Sequence, residues 1–123
     1  MPNTEVLLYA EEDESVPVIE WLDQLSEKVQ DKCLVRIERL REMGHELRRP
    51  EADYLRDDIY ELRMRHQTIQ YRILYFFNGK QAVLSHGLVK ESAVPSEEID
   101  LAIQRKGKFV KNPSKHTALE TES

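Results

Sequence analysis

Apolar residues recur every three or four positions in the first third of the chain, which is the period of an amphipathic helix. One apolar stripe predicts a helix over about residues 16–25, and a second predicts a helix over 27–43. Pro17 suits a first helical turn, and Gly44 stands where a left-handed residue ends a helix. The two helices should form a hairpin, and a further helix should follow Pro95.

Strand patterns flank the helical hairpin. A short apolar run predicts a first strand, and alternating or continuous apolar runs predict three more, over 6–9, 59–66, 69–77 and 81–89. Asn78-Gly79 is a strong signal for a tight turn between the last two strands. The sequence of residues 45–58 predicts a loop. The order β-α-α-β-β-β-α predicts an α+β fold, with helices covering one face of a mainly antiparallel sheet of about four strands.

Length and composition indicate one domain, over residues 1–110, followed by a flexible polar tail over 111–123. The first residues lack the basic and apolar segments of a signal peptide, and no apolar run is long enough for a membrane helix. Cys33 is the only cysteine, and the four histidines have no ligand spacing. We therefore expect a cytoplasmic protein with no metal site and no cofactor.

Charge is unevenly distributed along the chain. The net charge is −5, yet residues 1–31, with nine acids and one base, hold a net −8. Residues 62–90 contain no acid at all. This stretch predicts a local positive surface that attracts phosphate. The alternative is a solvated sheet face on which bases cluster by chance.

Arginines in the acid-free stretch are candidates for phosphate chemistry. Cleavage of an RNA phosphodiester without metal needs a proton acceptor, a proton donor and cations around the phosphate. Arg63 and Arg65 share a strand face, and Arg72 lies on the next strand. In a strict pleat Arg72 shares its face with Leu74 and Phe76, so we expect a bulge or twist to bring it to the others. The alternatives for Arg63 and Arg65 are solvated strand positions or ion pairs with Glu61 and Asp58. The alternative for Arg72 is a structural ion pair beneath the helices.

Four other side chains complete the candidate set. His86 and Lys90 flank the end of the last strand, where a histidine near neutral pKa can transfer protons. Lys80 adds a cation for RNA binding, and Tyr71 offers a ring on which a base can stack. The alternatives are a hydrogen-bonded sheet residue for His86 and a core position for Tyr71.

Four segments, in order, resemble motifs of RelE/HigB toxins in their phage-derived branch. LRDDIYELR at 55–63 resembles the family's L-(R)-x-G-(I/L)-Y-E-L-R segment, and YRILY at 71–75 its Y-R-I-L-Y strand. HGLVK at 86–90 resembles the strand end H-G-F-x-K, and the helix from Pro95 resembles P-x-x-E-I-x-x-A. The resemblance runs from about residue 5 to residue 110.

This resemblance implies a RelE-like fold and the toxin of a type II toxin–antitoxin system. Such toxins are mRNA interferases, endoribonucleases that cut mRNA in the ribosomal A site by attack of the 2′-oxygen and so inhibit translation. By the resemblance, Arg63 and Arg72 contact the scissile phosphate, Lys90 is the basic residue at the strand end, and Arg65 lies near a variable basic position. The implied partners are the ribosome, mRNA and a helix-turn-helix antitoxin. We expect Arg72→Ala to abolish cleavage without unfolding the domain.

The chain departs from the family pattern in three ways. Glu91 replaces a second basic residue, Val94 replaces a capping threonine, and the pI is near 5.4. Two other functions therefore stay open. One is a non-enzymatic toxin of the same superfamily that binds and blocks a partner such as gyrase. The other is an attenuated remnant that only binds antitoxin, in which the acidic N-terminal third weakens attraction to ribosomal RNA.

Overall fold

The structure is a computed structural model and describes residues 4–118. Its elements are β1 (Glu5–Leu8), α1 (Pro17–Leu22), α2 (Glu27–Met43), a 3₁₀ turn (Gly44–Glu46), β2 (Ala52–Arg56), β3 (Ile59–His66), β4 (Ile69–Asn78), β5 (Gln81–Lys90) and α3 (Ser96–Lys111). The predicted α+β class is confirmed. Helix α2 begins and ends where its signals indicated, because Ser26 caps Val29 N–H and Gly44 ends the helix at φ +57.

The sheet has five strands in the order β1-β5-β4-β3-β2, of which only β1 runs parallel to its neighbour. The predicted count of about four missed β2, which lies in the segment assigned as a loop. Strand β2 pairs with β3, and its register shifts between Tyr54 and Arg56. A bulge of this kind breaks the two-residue alternation, so β2 carried no strand signal in the sequence.

The helices cover both faces of the sheet, so the prediction that they cover one face is wrong. Helices α1 and α2 pack on one face in a core that includes Leu22, Leu40 and Ile73. Helix α3 packs on the opposite face, where Phe109 contacts Phe76 with ring centroids 5.9 Å apart. Its core residues meet only part of this face, so the ends of β3, β4 and β5 nearest residues 65, 70 and 90 stay partly open.

The segment after α3 is packed against the domain as far as it is described, which corrects the predicted flexible tail in that part. His116 is buried, stacks on Tyr9 and bonds through Nδ1 to the carbonyl of Ala10. The N–H of Ala118 donates to the carbonyl of Leu8. Residues 1–3 and 119–123 lie outside the described residues.

Gly87 on β5 lies directly beneath the indole of Trp21. A Cβ built at Gly87 would come within 2.2 Å of two indole carbons. The indole in turn meets Tyr71 edge-on, with ring centroids 6.2 Å apart. The glycine is therefore required for the approach of α1 to β5, because any side chain would displace the ring.

The β2–β3 turn places two aspartates in the left-handed region. Asp57 has φ +51 and Asp58 has φ +66, as in a tight turn that favours glycine. We expect Asp58→Gly to raise the free energy of unfolding by about 0.5–1 kcal/mol, because glycine adopts this conformation without a Cβ penalty. The lost ion pair to Lys106, at 3.5 Å and exposed, offsets little of this gain.

Urea denaturation measures the effect of Asp58→Gly. Asp58→Ala is the matched control, because it removes the same carboxylate but keeps a Cβ at positive φ. We expect the alanine variant to be less stable than the wild type. Equal stability of the glycine and alanine variants would show that backbone strain at this turn contributes nothing.

Candidate functional site

Strand register brings the predicted cations into adjacent rows on the face that α3 partly covers. Across β3, β4 and β5 the rows are Glu61–Leu74–His86, Arg63–Arg72–Leu88 and Arg65–Gln70–Lys90. Side chains of residues that face each other in one row leave the sheet on the same side. The bulge that we expected for Arg72 is therefore not needed, since Arg72 is the direct register partner of Arg63. We call Arg63, Arg65, Arg72 and Lys90 the cationic face.

Arg72 is fully engaged inside this face and is 1% exposed. Its Nε donates to Glu61 at 3.1 Å, and its two terminal nitrogens donate to the Tyr71 carbonyl at 2.9 Å and to Gln70 Oε1 at 2.8 Å. Burial lowers the pKa of Arg72, and the charge of Glu61 opposes this shift. In this structure Arg72 therefore forms the structural ion pair that the sequence left open as an alternative. Its hydrogen bonds orient the side chains of Glu61 and Gln70.

The buried ion pair changes what substitution of Arg72 can show. Arg72→Ala would leave Glu61, which is 5% exposed, with only the 4.0 Å contact to Arg63 to offset its charge. Breaking a buried pair in this way destabilises proteins by about 3–5 kcal/mol. The sequence-based expectation that Arg72→Ala leaves the fold intact is therefore at odds with the geometry.

The other three cations are more accessible. The Arg63 side chain is 28% exposed, and its Nε lies 4.0 Å from Glu61, at the limit of an ion pair. Arg65 is exposed and donates to the carbonyl of Gln67 at 3.0 Å. Lys90 is half-buried at the end of β5. These groups present donors to an anion on the open end of the sheet.

His86 is held between the sheet and α3. Ser85 Oγ lies 2.8 Å from Nδ1, Glu98 Oε1 lies 2.8 Å from Nε2, and the residue is 7% exposed. Burial lowers the pKa of His86, against the opposing hydrogen bond to Glu98. Both ring nitrogens are occupied, so His86 has none to offer a substrate in this structure. Its position links β5 to α3.

The lowered pKa of His86 predicts how stability depends on pH. The unfolded chain binds a proton near pH 6.5, whereas the fold favours the neutral ring. The contribution of neutral His86 to the free energy of unfolding is therefore fully present above this pH and is lost as the pH is lowered. We expect His86→Gln to lose less stability than the wild type between pH 7.5 and pH 5 in urea denaturation. Parallel losses in the two proteins would contradict this account.

Two of the predicted RNA-binding residues lie away from the cationic face. Tyr71 projects from the opposite face into the α1–α2 core and is 7% exposed, because the strand alternation separates it from Arg72. Tyr71 therefore offers no free ring beside the cationic face. It occupies a core position, which was the alternative given for it in the sequence analysis. Lys80 lies in the β4–β5 turn, about ten residues and roughly 30 Å along β5 from Lys90.

Three residues of the site did not appear among the sequence candidates: Glu61, Gln70 and Glu98. A signal existed for the first two, because alternation puts Glu61 on the face of Arg63 and Gln70 on the face of Arg72. Glu98 reaches His86 only through the packing of α3 on the sheet. That packing was not predicted, since we placed the helices on one face.

Residues 20–107 match the model of a protein family described as Phage derived protein Gp49-like (DUF891). The chain belongs to the Gp49-like family. The matched residues run from α1 into α3 and include the whole cationic face. Gp49-like proteins are phage-derived and associated with RelE-like toxins, which agrees with the observed α+β architecture. No match was found among curated proteins.

Within residues 4–118, no helix combines the length and apolar character that a membrane crossing requires. In the same part of the chain, no three His, Cys, Asp or Glu side chains cluster closely enough to hold a metal ion.

Proposed function

We propose that this Gp49-like protein is the toxin of a type II toxin–antitoxin system, a metal-independent endoribonuclease that cleaves mRNA at the ribosome in the cytoplasm. A helix-turn-helix antitoxin would hold it in check. The observation that carries this proposal is the register of Arg63 opposite Arg72, with Lys90 in the next row, on the open end of the sheet. Family membership supports the toxin assignment.

The cationic face supplies what transition-state charge requires. As the 2′-oxygen attacks phosphorus and the bond to the 5′-oxygen breaks, negative charge grows on the phosphoryl oxygens. Arg63 and Lys90 are the accessible donors for that charge, and Arg72 fixes the groups beneath them. Products would be a 2′,3′-cyclic phosphate and a 5′-hydroxyl.

A proton acceptor for the 2′-hydroxyl is also needed, and we propose Glu61 in place of His86. Glu61 is 5% exposed, but its Oε2 accepts no hydrogen bond from the described residues, whereas both nitrogens of His86 are bonded. The Glu61 carboxylate is the one acidic group that the three described rows contain, and it lies 4.0 Å from Arg63 Nε. His86 instead acts as a positioning residue for α3, because both its nitrogens are bonded. Lys90 is the candidate donor to the leaving 5′-oxygen.

Inducible expression in bacteria tests the function. We expect growth arrest, transcripts with 5′-hydroxyl ends and rescue by co-expression of the neighbouring gene's product. Normal growth with full-length transcripts under strong expression would contradict the proposal.

The burial of Arg72 favours one alternative, a non-enzymatic toxin that blocks a partner such as gyrase. Each of the three Arg72 nitrogens donates one hydrogen bond within the domain and the residue is 1% exposed, so in this structure Arg72 stabilises the fold. In that case Lys90→Ala would leave toxicity unchanged, and expression would induce DNA-damage signalling in place of mRNA cleavage.

A further inference from the structure

A hollow of about 530 Å³ lies on the face of the sheet opposite the cationic face, beside edge strand β2. We call it the β2 hollow. Leu47 and Ala52 form an apolar floor, Tyr54 and Tyr60 provide aromatic rings, and two arginines stand at the rim. Its volume falls within the range of about 300–1,000 Å³ that is usual for ligand sites.

The aromatic part of the β2 hollow is preorganised. Tyr54 and Tyr60 meet edge-on with centroids 5.1 Å apart, and Tyr60 is backed by Tyr75 at 5.4 Å and Phe77 at 5.2 Å. The Tyr54 hydroxyl accepts from the N–H of Asp58 at 3.0 Å, which fixes the ring. Yet Tyr54 is 50% exposed. A fixed, half-exposed aromatic ring is a platform for stacking a flat ligand.

The rim of the β2 hollow is positive. Arg48 is exposed and makes no ion pair with any residue between 4 and 118, whereas Arg49 pairs with Asp53 at 2.8 Å and stays 73% exposed. His45 bonds to the carbonyl of Gly79 at 3.4 Å, which places the turn bearing Lys80 beside the hollow. Asp53 is the single acidic side chain that lines it. The rim therefore favours an anion next to the aromatic platform.

We propose that the β2 hollow binds one nucleotide of single-stranded RNA, with the base stacked on Tyr54 and a phosphate held by Arg48 and Arg49. This inference rests on the proposed function, which supplies an RNA partner. Tyr60 and Arg63 are three residues apart on β3, or roughly 10 Å, and face opposite sides. An RNA strand that passes around edge strand β2 therefore reaches both the hollow and the cationic face. Lys80, which lies far from that face, becomes a neighbour of this second site.

Binding of a fluorescein-labelled 2′-O-methyl RNA octamer, which cannot be cleaved at a 2′-hydroxyl, tests the β2 hollow by fluorescence anisotropy. We expect Tyr54→Ala and Arg48→Ala each to weaken binding about ten-fold, because one stacked base or one phosphate contact is lost. Tyr54→Phe keeps the ring for stacking but loses the hydroxyl that accepts from Asp58 N–H, so it should bind more tightly than Tyr54→Ala. Arg41→Ala is the matched control, because Arg41 lies on α2 outside the hollow and its side chain is 39% exposed.

The outcomes separate this inference from the proposed function. If both hollow variants bind the octamer as tightly as the wild type while Arg63→Ala weakens binding, the hollow is not an RNA site and the function stands. If they keep RNA binding but escape neutralisation by the antitoxin, the hollow is a protein-docking surface and our inference is overturned. If the wild type neither binds the octamer nor cleaves mRNA, both proposals fail.

Discussion

Arg63→Ala is expected to lower the rate of mRNA cleavage about a hundred-fold or more. Arg63 is the cation of the central row that remains accessible, with a side chain 28% exposed and only a 4.0 Å contact to Glu61. Removing one preorganised donor to a developing oxyanion costs about 10²–10³ in rate. The rate is measured by single-turnover cleavage of a defined mRNA on purified ribosomes.

The fold should tolerate Arg63→Ala. Glu61 keeps its shorter bond to Arg72, at 3.1 Å, so no buried charge is left unpaired. We therefore expect a change in the free energy of unfolding of about 1 kcal/mol or less. Arg41→Ala removes an arginine with a comparable exposed ion pair, to Glu38 at 3.3 Å, and should cleave like the wild type. Equal rates for Arg63→Ala and Arg41→Ala would remove Arg63 from the mechanism.

Gly87→Ala is expected to lower the free energy of unfolding by about 3 kcal/mol, because the added methyl must displace the Trp21 indole. For a domain of this size the melting temperature should fall by roughly 10 °C. Thermal and urea denaturation measure both quantities. The effect reports on the contact between α1 and β5, on the face opposite the catalytic candidates.

A second glycine provides the control for Gly87→Ala. Gly107 lies in α3 with nothing within 4 Å of a Cβ built there. We expect Gly107→Ala to raise stability by about 0.5–1 kcal/mol, since alanine favours the helix. In a Trp21→Leu background, Gly87→Ala should cost much less than in the wild type, because the smaller side chain leaves room. A full cost in that background would mean that the indole is not the cause.

Local sequence signals were sufficient where one element's own residues decide its structure. Strand β3 begins at Ile59 and ends at His66 as predicted, because Tyr60, Leu62 and Met64 alternate with charged residues. The Asn78-Gly79 turn formed between β4 and β5, with Gly79 at φ +62. The first three family motifs lie on strands β2 to β5, and the fourth lies at the start of α3.

Properties that depend on packing between distant elements could not be predicted from local sequence patterns. The side of the sheet that α3 covers follows from Phe109 meeting Phe76, a contact between residues far apart in sequence. The placement of Arg72 opposite Arg63 depends on strand register, and its burial depends on Glu61 and Gln70. His116 was assigned to a loose tail, although Tyr9, more than a hundred residues away, provides its stacking partner. Charge counts predicted a cationic face but not which cations stay accessible.

The end chemistry of the cut mRNA tests the central claim most directly. Purified protein is incubated with ribosomes carrying a defined mRNA, and the termini of the fragments are mapped. Attack by the 2′-oxygen on a phosphate held by Arg63 predicts 5′-hydroxyl ends paired with 2′,3′-cyclic phosphates, and their loss in Arg63→Ala. Uncut mRNA, or fragments with 5′-phosphate and 3′-hydroxyl ends, would contradict it.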